Sequence, residues 1–160
     1  WRLIMRRLMA RLNTYAWLAT LVLICQDAGA AELNASDGVA IHGYDPVAYF
    51  QEGPKKGRAG LSELYKGVEY HFASESNKKA FAANPRRYVP QYGCWCAYAM
   101  LEGDKVDVDP QRYKIIDGEL YLFYDGFWGD TLKKWNEKAQ EQSDEALVAQ
   151  ADVQWETLSD

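Results

Sequence analysis

The densest group of reactive side chains in the sequence is Cys94-Trp95-Cys96. Two sulfurs at this spacing allow three chemistries. In an extended segment the cysteines share a face with Tyr98 and Met100, and their Cα atoms lie roughly 6.5 Å apart, near the upper limit for a disulfide. As thiolates they suit Cu(I) or zinc, with His42 or His71 as further ligands. Met100 would lie about 13 Å from Cys96 on the same straight strand, too far to join them. As buried thiols they are small hydrophobes. Spacing alone leaves disulfide, metal and inert thiols open. His71 beside Glu69 reads as a solvated strand residue, and His42 as a loop residue. Asp107-Val108-Asp109 offers two carboxylates to Ca²⁺, an ion that wants six or more oxygens; a turn-capping Asp109 ahead of Pro110 is the simpler role. No Gly-x-Ser-x-Gly, His-Glu-x-x-His or phosphate loop occurs, and no spacing supports a Cys96–His71 couple, so no catalytic residue is named and the reading leans away from an enzyme.

The elements that must position these residues follow from periodicity and turn chemistry. Residues 39–41 form a short strand candidate, and 51–60 a loop rich in breakers. Residues 61–65 and 68–72 flank Lys66-Gly67 as a hairpin, with Val68, Tyr70 and Phe72 on its apolar face. Ser74 caps a helix over 75–83 that stops at Asn84-Pro85. Strands are expected over 96–101 and 106–108, and a second hairpin over 113–116 and 119–124 around Asp117-Gly118. Beyond Gly129 the pattern is helical, with Leu132, Trp135 and Ala139 on one stripe and Leu147, Ala151, Trp155 and Leu158 on another. The fold class is α+β in a single domain: a small antiparallel sheet, a short helix and C-terminal helices.

The N-terminal stretch has a different character. Four arginines (Arg2, Arg6, Arg7, Arg11), the apolar run 16–25 and Ala28-Gly29-Ala30 read together as a secretory signal peptide over 1–30. Met5 would open a normal basic region, and Arg6-Arg7 leaves Sec or twin-arginine export open. The apolar run is too short to span a bilayer, so no stable membrane span is expected after cleavage. The organisation is then a leader over 1–30, a polar leading segment over 31–38, an α+β domain over 39–128 and a helical segment over 129–160 packing on it. The localisation is exported, periplasmic or secreted.

The 160 residues carry 18 basic and 23 acidic side chains, net −5, with 48% hydrophobic residues. Removing 1–30 takes four arginines and one aspartate, leaving 14 − 22 = −8. Such a charge argues against nucleic acid, because no basic excess displaces phosphate counterions. The apolar share excludes a disordered chain.

Gly43-Tyr44-Asp45-Pro46-Val47-Ala48-Tyr49-Phe50, Tyr70-His71-Phe72-Ala73-Ser74, Phe81, Asn84-Pro85, Tyr88 and Gln91-Tyr92-Gly93 resemble an exported bacterial YHS-domain protein. Asp109-Pro110, Asp117-Gly118-Glu119-Leu120-Tyr121-Leu122 and Ala151-Asp152-Val153-Gln154-Trp155 resemble the same subgroup. The resemblance implies a small α+β fold. In other branches, cysteines in the motif suggest metal binding; here Ala48, Ala73 and Asn77 stand in that region, so the metal role does not carry over. No catalytic activity is generally assigned to the exported subgroup.

These readings converge on an exported binding domain for a small molecule or protein partner. Its alternatives are a periplasmic copper or zinc binder using Cys94 and Cys96, with His71 as a third candidate ligand, and a thiol–disulfide redox protein. Tyr44, Tyr49, Phe50, Tyr70, Phe72, Phe81, Tyr88 and Tyr92 are expected to build an aromatic core. The alternative is a ligand pocket walled by Tyr44, Tyr49, Tyr70, Tyr92 and Trp95. Trp128, Trp135 and Trp155 are either core anchors or interface anchors.

Overall fold

The computed structural model describes residues 33–159, and the leader read over 1–30 lies outside them. Strands β1 (Ala35–Ser36), β2 (Val39–Ala40), β3 (Arg58–Tyr65) and β4 (Val68–Phe72) form one sheet in the order β1-β2-β4-β3. Lys66 and Gly67 both take positive φ, as a type I′ hairpin turn requires. Val68, Tyr70 and Phe72 point into the core from β4 as the alternation predicts. The sheet is not wholly antiparallel, since β2 meets β4 in parallel at Val39 and Glu69. The expected loop also ends early: β3 starts at Arg58, and an irregular register between Arg58 and Ser62 absorbs the added residues.

Helix α1 (Glu75–Ala83) begins where Ser74 Oγ accepts from the Asn77 N–H at 3.1 Å. It stops at Asn84, ahead of a proline that disfavours helical geometry in the residue before it. Its Phe81 is fully buried, with ring centroids 5.0 Å from Tyr70 and 5.2 Å from Phe72.

The expected strand over 96–101 is absent. Cys96 is extended, but Ala97–Met100 makes one helical turn, α2. The alternation of Cys96, Tyr98 and Met100 suggests a strand, yet Ala97, Met100 and Leu101 are the residues buried together, a helical spacing. Nor do residues 106–108 form a strand; the Val106 carbonyl accepts from the Cys96 N–H at 2.9 Å. The second hairpin pairs β5 (Asp109–Ile116) with β6 (Glu119–Phe123) through Asp117-Gly118, again both at positive φ.

Helices α3 (Thr131–Gln142) and α4 (Asp144–Ser159) cover this hairpin. Trp135, Leu147 and Ala151 are fully buried in a cluster with Met100 and Phe123. Trp155 is half-buried, whereas Leu158 and Trp128 face solvent. Trp135 is thus a core anchor and Trp128 is not.

Two three-residue turns run left-handed: Ile41-His42-Gly43 at φ 53, 50 and 78, and Tyr92-Gly93-Cys94 at φ 54, 58 and 70. The first ends the strand expected over 39–41 one residue short. A left-handed β-branched residue costs about 1–2 kcal/mol, and burying the Ile41 side chain, 1% exposed, offsets about that much. Asn34 and Asp107 tie the two turns together. The Asn34 N–H donates to the Gly93 carbonyl at 2.7 Å, and its side-chain amide donates to the Cys94 carbonyl at 3.1 Å and Asp107 Oδ1 at 2.7 Å. His42 Nε2 meets the same Asp107 oxygen at 2.9 Å.

Candidate functional site

The two cysteines do not lie along one strand face. Cys94 closes a left-handed turn and Cys96 is the extended residue before α2, so the same-face alignment expected of an extended segment is lost. Both are free and buried. The Tyr70 hydroxyl donates to the Cys94 sulfur, and burial pushes the Cys94 thiol up to about 12 against the pull of that bond. Cys96 Sγ lies 3.4 Å from Thr131 Oγ1 and accepts from the Tyr124 N–H at 3.4 Å. Thus one sulfur serves the β4 side of the core, and the other joins β6 to the start of α3.

The histidines go elsewhere. His71 is not solvated: its side chain is 13% exposed, paired with Glu69 Oε1 at 3.0 Å. A Cβ on Gly57 would come within 2.5 Å of the His71 carbonyl carbon, and one on Gly43 within 3.2 Å of its Nδ1. The chain folded over His71 therefore closes off the polar face that the alternation of β4 left open. Asp107 Oδ1 is engaged by Asn34, His42 and the Val108 N–H, and these bonds hold its carboxyl below the usual range although partial burial opposes them. Asp109 accepts from the Gln111 N–H at 2.8 Å, the capping role expected of it. Among the described residues, no three His, Cys, Asp or Glu side chains converge as a metal would need.

The motif positions that carry cysteines in metal-associated branches do converge. Ala48, Ala73 and Asn77 line one pocket of about 250 Å³, together with Gln51, Ser74 and Ser76. No thiolate faces it. The fully buried Asp45 beneath is consumed by four hydrogen bonds, from the Val47, Ala48 and Ala73 N–H groups and the Asn77 amide. Methyl groups and an engaged amide do not fit a soft metal.

Of the five aromatic candidates for a ligand pocket, the structure brings two together. The Tyr49 hydroxyl donates to the Pro110 carbonyl at 2.8 Å inside the core, and burial raises its phenol pKa. Tyr44 holds Lys56 over its ring and accepts from the Gln111 amide at 3.0 Å. Trp95 packs on the cluster of Trp135, Met100 and Phe123. Tyr70 and Tyr92 instead line a cleft of about 580 Å³, bounded also by Tyr65, Pro90, Gln91 and Trp155. Burial raises the phenol pKa of both, so both stay protonated. The Tyr92 hydroxyl donates to Asp152 Oδ1 at 3.0 Å, fixing its ring against α4. Tyr92 and Trp155 have centroids 6.2 Å apart.

Sequence reading missed Tyr65, Arg86, Gln91 and Glu119 as lining residues. Their only signal is proximity to the Gln91-Tyr92-Gly93 motif or to a hairpin turn. Trp155 was legible as part of a helical stripe, but not as a wall.

No curated protein and no solved structure matches the chain. The family model of the YHS domain matches residues 49–92, the stretch holding β3, β4 and α1 and ending at Tyr92. Residues 49–92 of the chain are therefore a YHS domain.

Proposed function

We propose that this chain is an exported, non-enzymatic binding protein whose YHS domain and C-terminal helix hold a small molecule between them. The observation that carries the reading is the cleft itself: about 580 Å³, walled by Tyr65, Tyr70, Tyr92 and Trp155. That volume lies within the range of small-ligand sites, and aromatic walls with a few polar groups are their usual lining. Tyr70, Tyr92 and Trp155 are each fixed from behind, by Cys94, Asp152 and the packing of α4, so the walls are preformed. Metal and thiol-redox readings have less support. Among the described residues no third His, Cys, Asp or Glu side chain joins the two sulfurs, and burial raises the Cys94 thiol pKa, which disfavours the thiolate that thiol redox chemistry uses.

The test is a fragment screen read by amide and indole NMR shifts. Hits should perturb Gln91, Gly93 and the Trp155 indole first. Hits that scatter over the surface, or a screen without hits, would overturn the reading. Export is checked separately by N-terminal sequencing of protein recovered from the periplasm, which should begin at Ala31.

A further inference from the structure

We infer that the ligand of this cleft is a small aromatic carboxylate, its acid group held by Arg86 and its ring lying against Tyr65 and Trp155; this rests on the cleft being the binding site. The first observation is charge. The chain carries net −5, yet the cleft is bordered by Lys66 and Arg86 against Glu119, with Asp152 behind it engaged by the Tyr92 hydroxyl. Lys105 stands over the ring of Trp155, 5.6 Å from its centroid, adding a third cation at the same wall. Glu119 accepts from the Tyr121 hydroxyl at 3.1 Å, which satisfies part of its bonding within the protein.

The second observation is vacancy of bonding. Arg112, Lys114, Lys55 and Lys78 are in ion pairs, whereas exposed cations such as Arg58 and Lys79 are in none among the described residues; Arg86 differs from these in bordering the cleft. Among the described residues Arg86 has no hydrogen bond or ion pair, and the side-chain amide of Gln91 has no hydrogen bond. A guanidinium presents a planar fork that matches a carboxylate with two parallel bonds. The third observation is the shape of the remainder. The half-buried rings of Tyr65 and Trp155 offer apolar faces suited to a flat ring, backed by the buried Tyr70, Pro90 and Tyr92, with Gln91 beside them to bond a ring substituent. A cation at the rim and aromatic walls within together select an anion with a planar apolar body, and disfavour a sugar or an inorganic anion.

The experiment compares indole-3-acetate with indole-3-acetamide on the full chain by calorimetry and NMR, alongside benzoate, inorganic phosphate and glucose. The acid should bind about tenfold more tightly than its amide, the gain expected of one charge-assisted contact. Arg86→Gln should abolish that difference; Arg86 is exposed, so the variant should fold, checked by its spectrum. Shifts should centre on Gln91 and the Trp155 indole. Equal binding of acid and amide would overturn the carboxylate inference while leaving the cleft as a binding site. Tighter binding of phosphate or glucose would overturn it likewise. Binding of neither indole nor benzoate would overturn it together with the reading beneath it.

Discussion

The Asn77 amide donates to Asp45 Oδ2 at 2.7 Å across 32 residues of sequence, joining the first turn of α1 to the Asp-Pro turn. Asp45 is fully buried and accepts three backbone N–H bonds besides, so its carboxylate organises both segments. Asp45→Ala leaves the Val47 and Ala73 N–H groups and the Asn77 amide without that acceptor, while the Ala48 N–H keeps the Asp45 carbonyl at 3.2 Å, and should cost about 3 kcal/mol or more. Asn77→Ala removes one donor of four and should cost about 1–2 kcal/mol. Urea denaturation of both variants checks the order; an Asp45→Ala cost below that of Asn77→Ala would contradict it.

The buried thiols should be silent in the native state. Burial holds Cys94 as a thiol, pushed up to about 12, and Cys96 is fully enclosed. Modification of the described cysteines by iodoacetamide at pH 8 should therefore track global unfolding, slowing as stability rises. Rapid labelling of Cys94 at low denaturant, well before the unfolding transition, would show that its turn opens locally instead.

Cys96→Ser separates two roles of the second sulfur. Its contacts with Thr131 and the Tyr124 N–H can be made by a hydroxyl, though a shorter one in an otherwise apolar site. Cys96→Val removes both and adds a branch to a packed core. Serine should cost about 1–2 kcal/mol and valine about 2–3 kcal/mol. The two midpoints in guanidinium decide it, and a valine variant as stable as wild type would leave packing as the sulfur's sole role.

Sequence reached the elements governed by local rules. The turns Lys66-Gly67 and Asp117-Gly118 need two positive φ values, which Gly67, Asp117 and Gly118 tolerate. The Ser74 cap and the Asn84-Pro85 stop are equally local. The left-handed turns were illegible, because Ile41 and Cys94 are poor residues for that backbone and are held there by burial and by Asn34 and Asp107 from elsewhere. The segment after Cys96 misled for a related reason: a two-residue alternation and a one-turn helix differ by a residue or two over so short a span. The cleft was half legible. Tyr70 and Tyr92 announced themselves by motif, but Trp155 and Arg86 come from other elements, and only tertiary packing places them beside the tyrosines.

The loop between β6 and α3 should be stiff despite its exposure. Arg112 Nη2 pairs with Asp125 Oδ2 at 2.6 Å and its Nε with Asp130 Oδ2 at 3.0 Å, clamping both ends. Lys134 Nζ donates to the Trp128 carbonyl at 2.8 Å, while Phe127 is 93% exposed at the tip. Each partner of the clamp is about a third exposed, so Arg112→Ala should change stability by about 1 kcal/mol or less. Amide relaxation of residues 125–130 should nonetheless show a clear rise in mobility. A loop as rigid in the variant as in wild type would show that Gly129 and Thr131 suffice.

Asp144 ties three elements at one carboxylate oxygen, and that predicts an acid-sensitive helical pair. Lys114 Nζ from β5 donates to Asp144 Oδ1 at 2.6 Å, and the Nε1 of the fully buried Trp135 donates to it at 2.7 Å. Partial burial opposes ionisation, but these two bonds and the lysine charge outweigh it and hold the Asp144 carboxyl below its ordinary value. A group whose folded pKa is depressed binds fewer protons in the native state than in the unfolded one. Its stabilisation is therefore complete above the unfolded pKa of about 3.9 and is lost as pH falls through the lower folded value. Asp144→Asn should cost stability at pH 7 and progressively less at lower pH, so that the wild-type and variant curves converge in acid. Unfolding midpoints from pH 7 down to pH 2 measure this, with Trp135 fluorescence reporting on the helices. A gap between the two proteins that stays constant over that range would remove Asp144 as the titrating group, leaving Asp107, also held below its ordinary value, as the next to test.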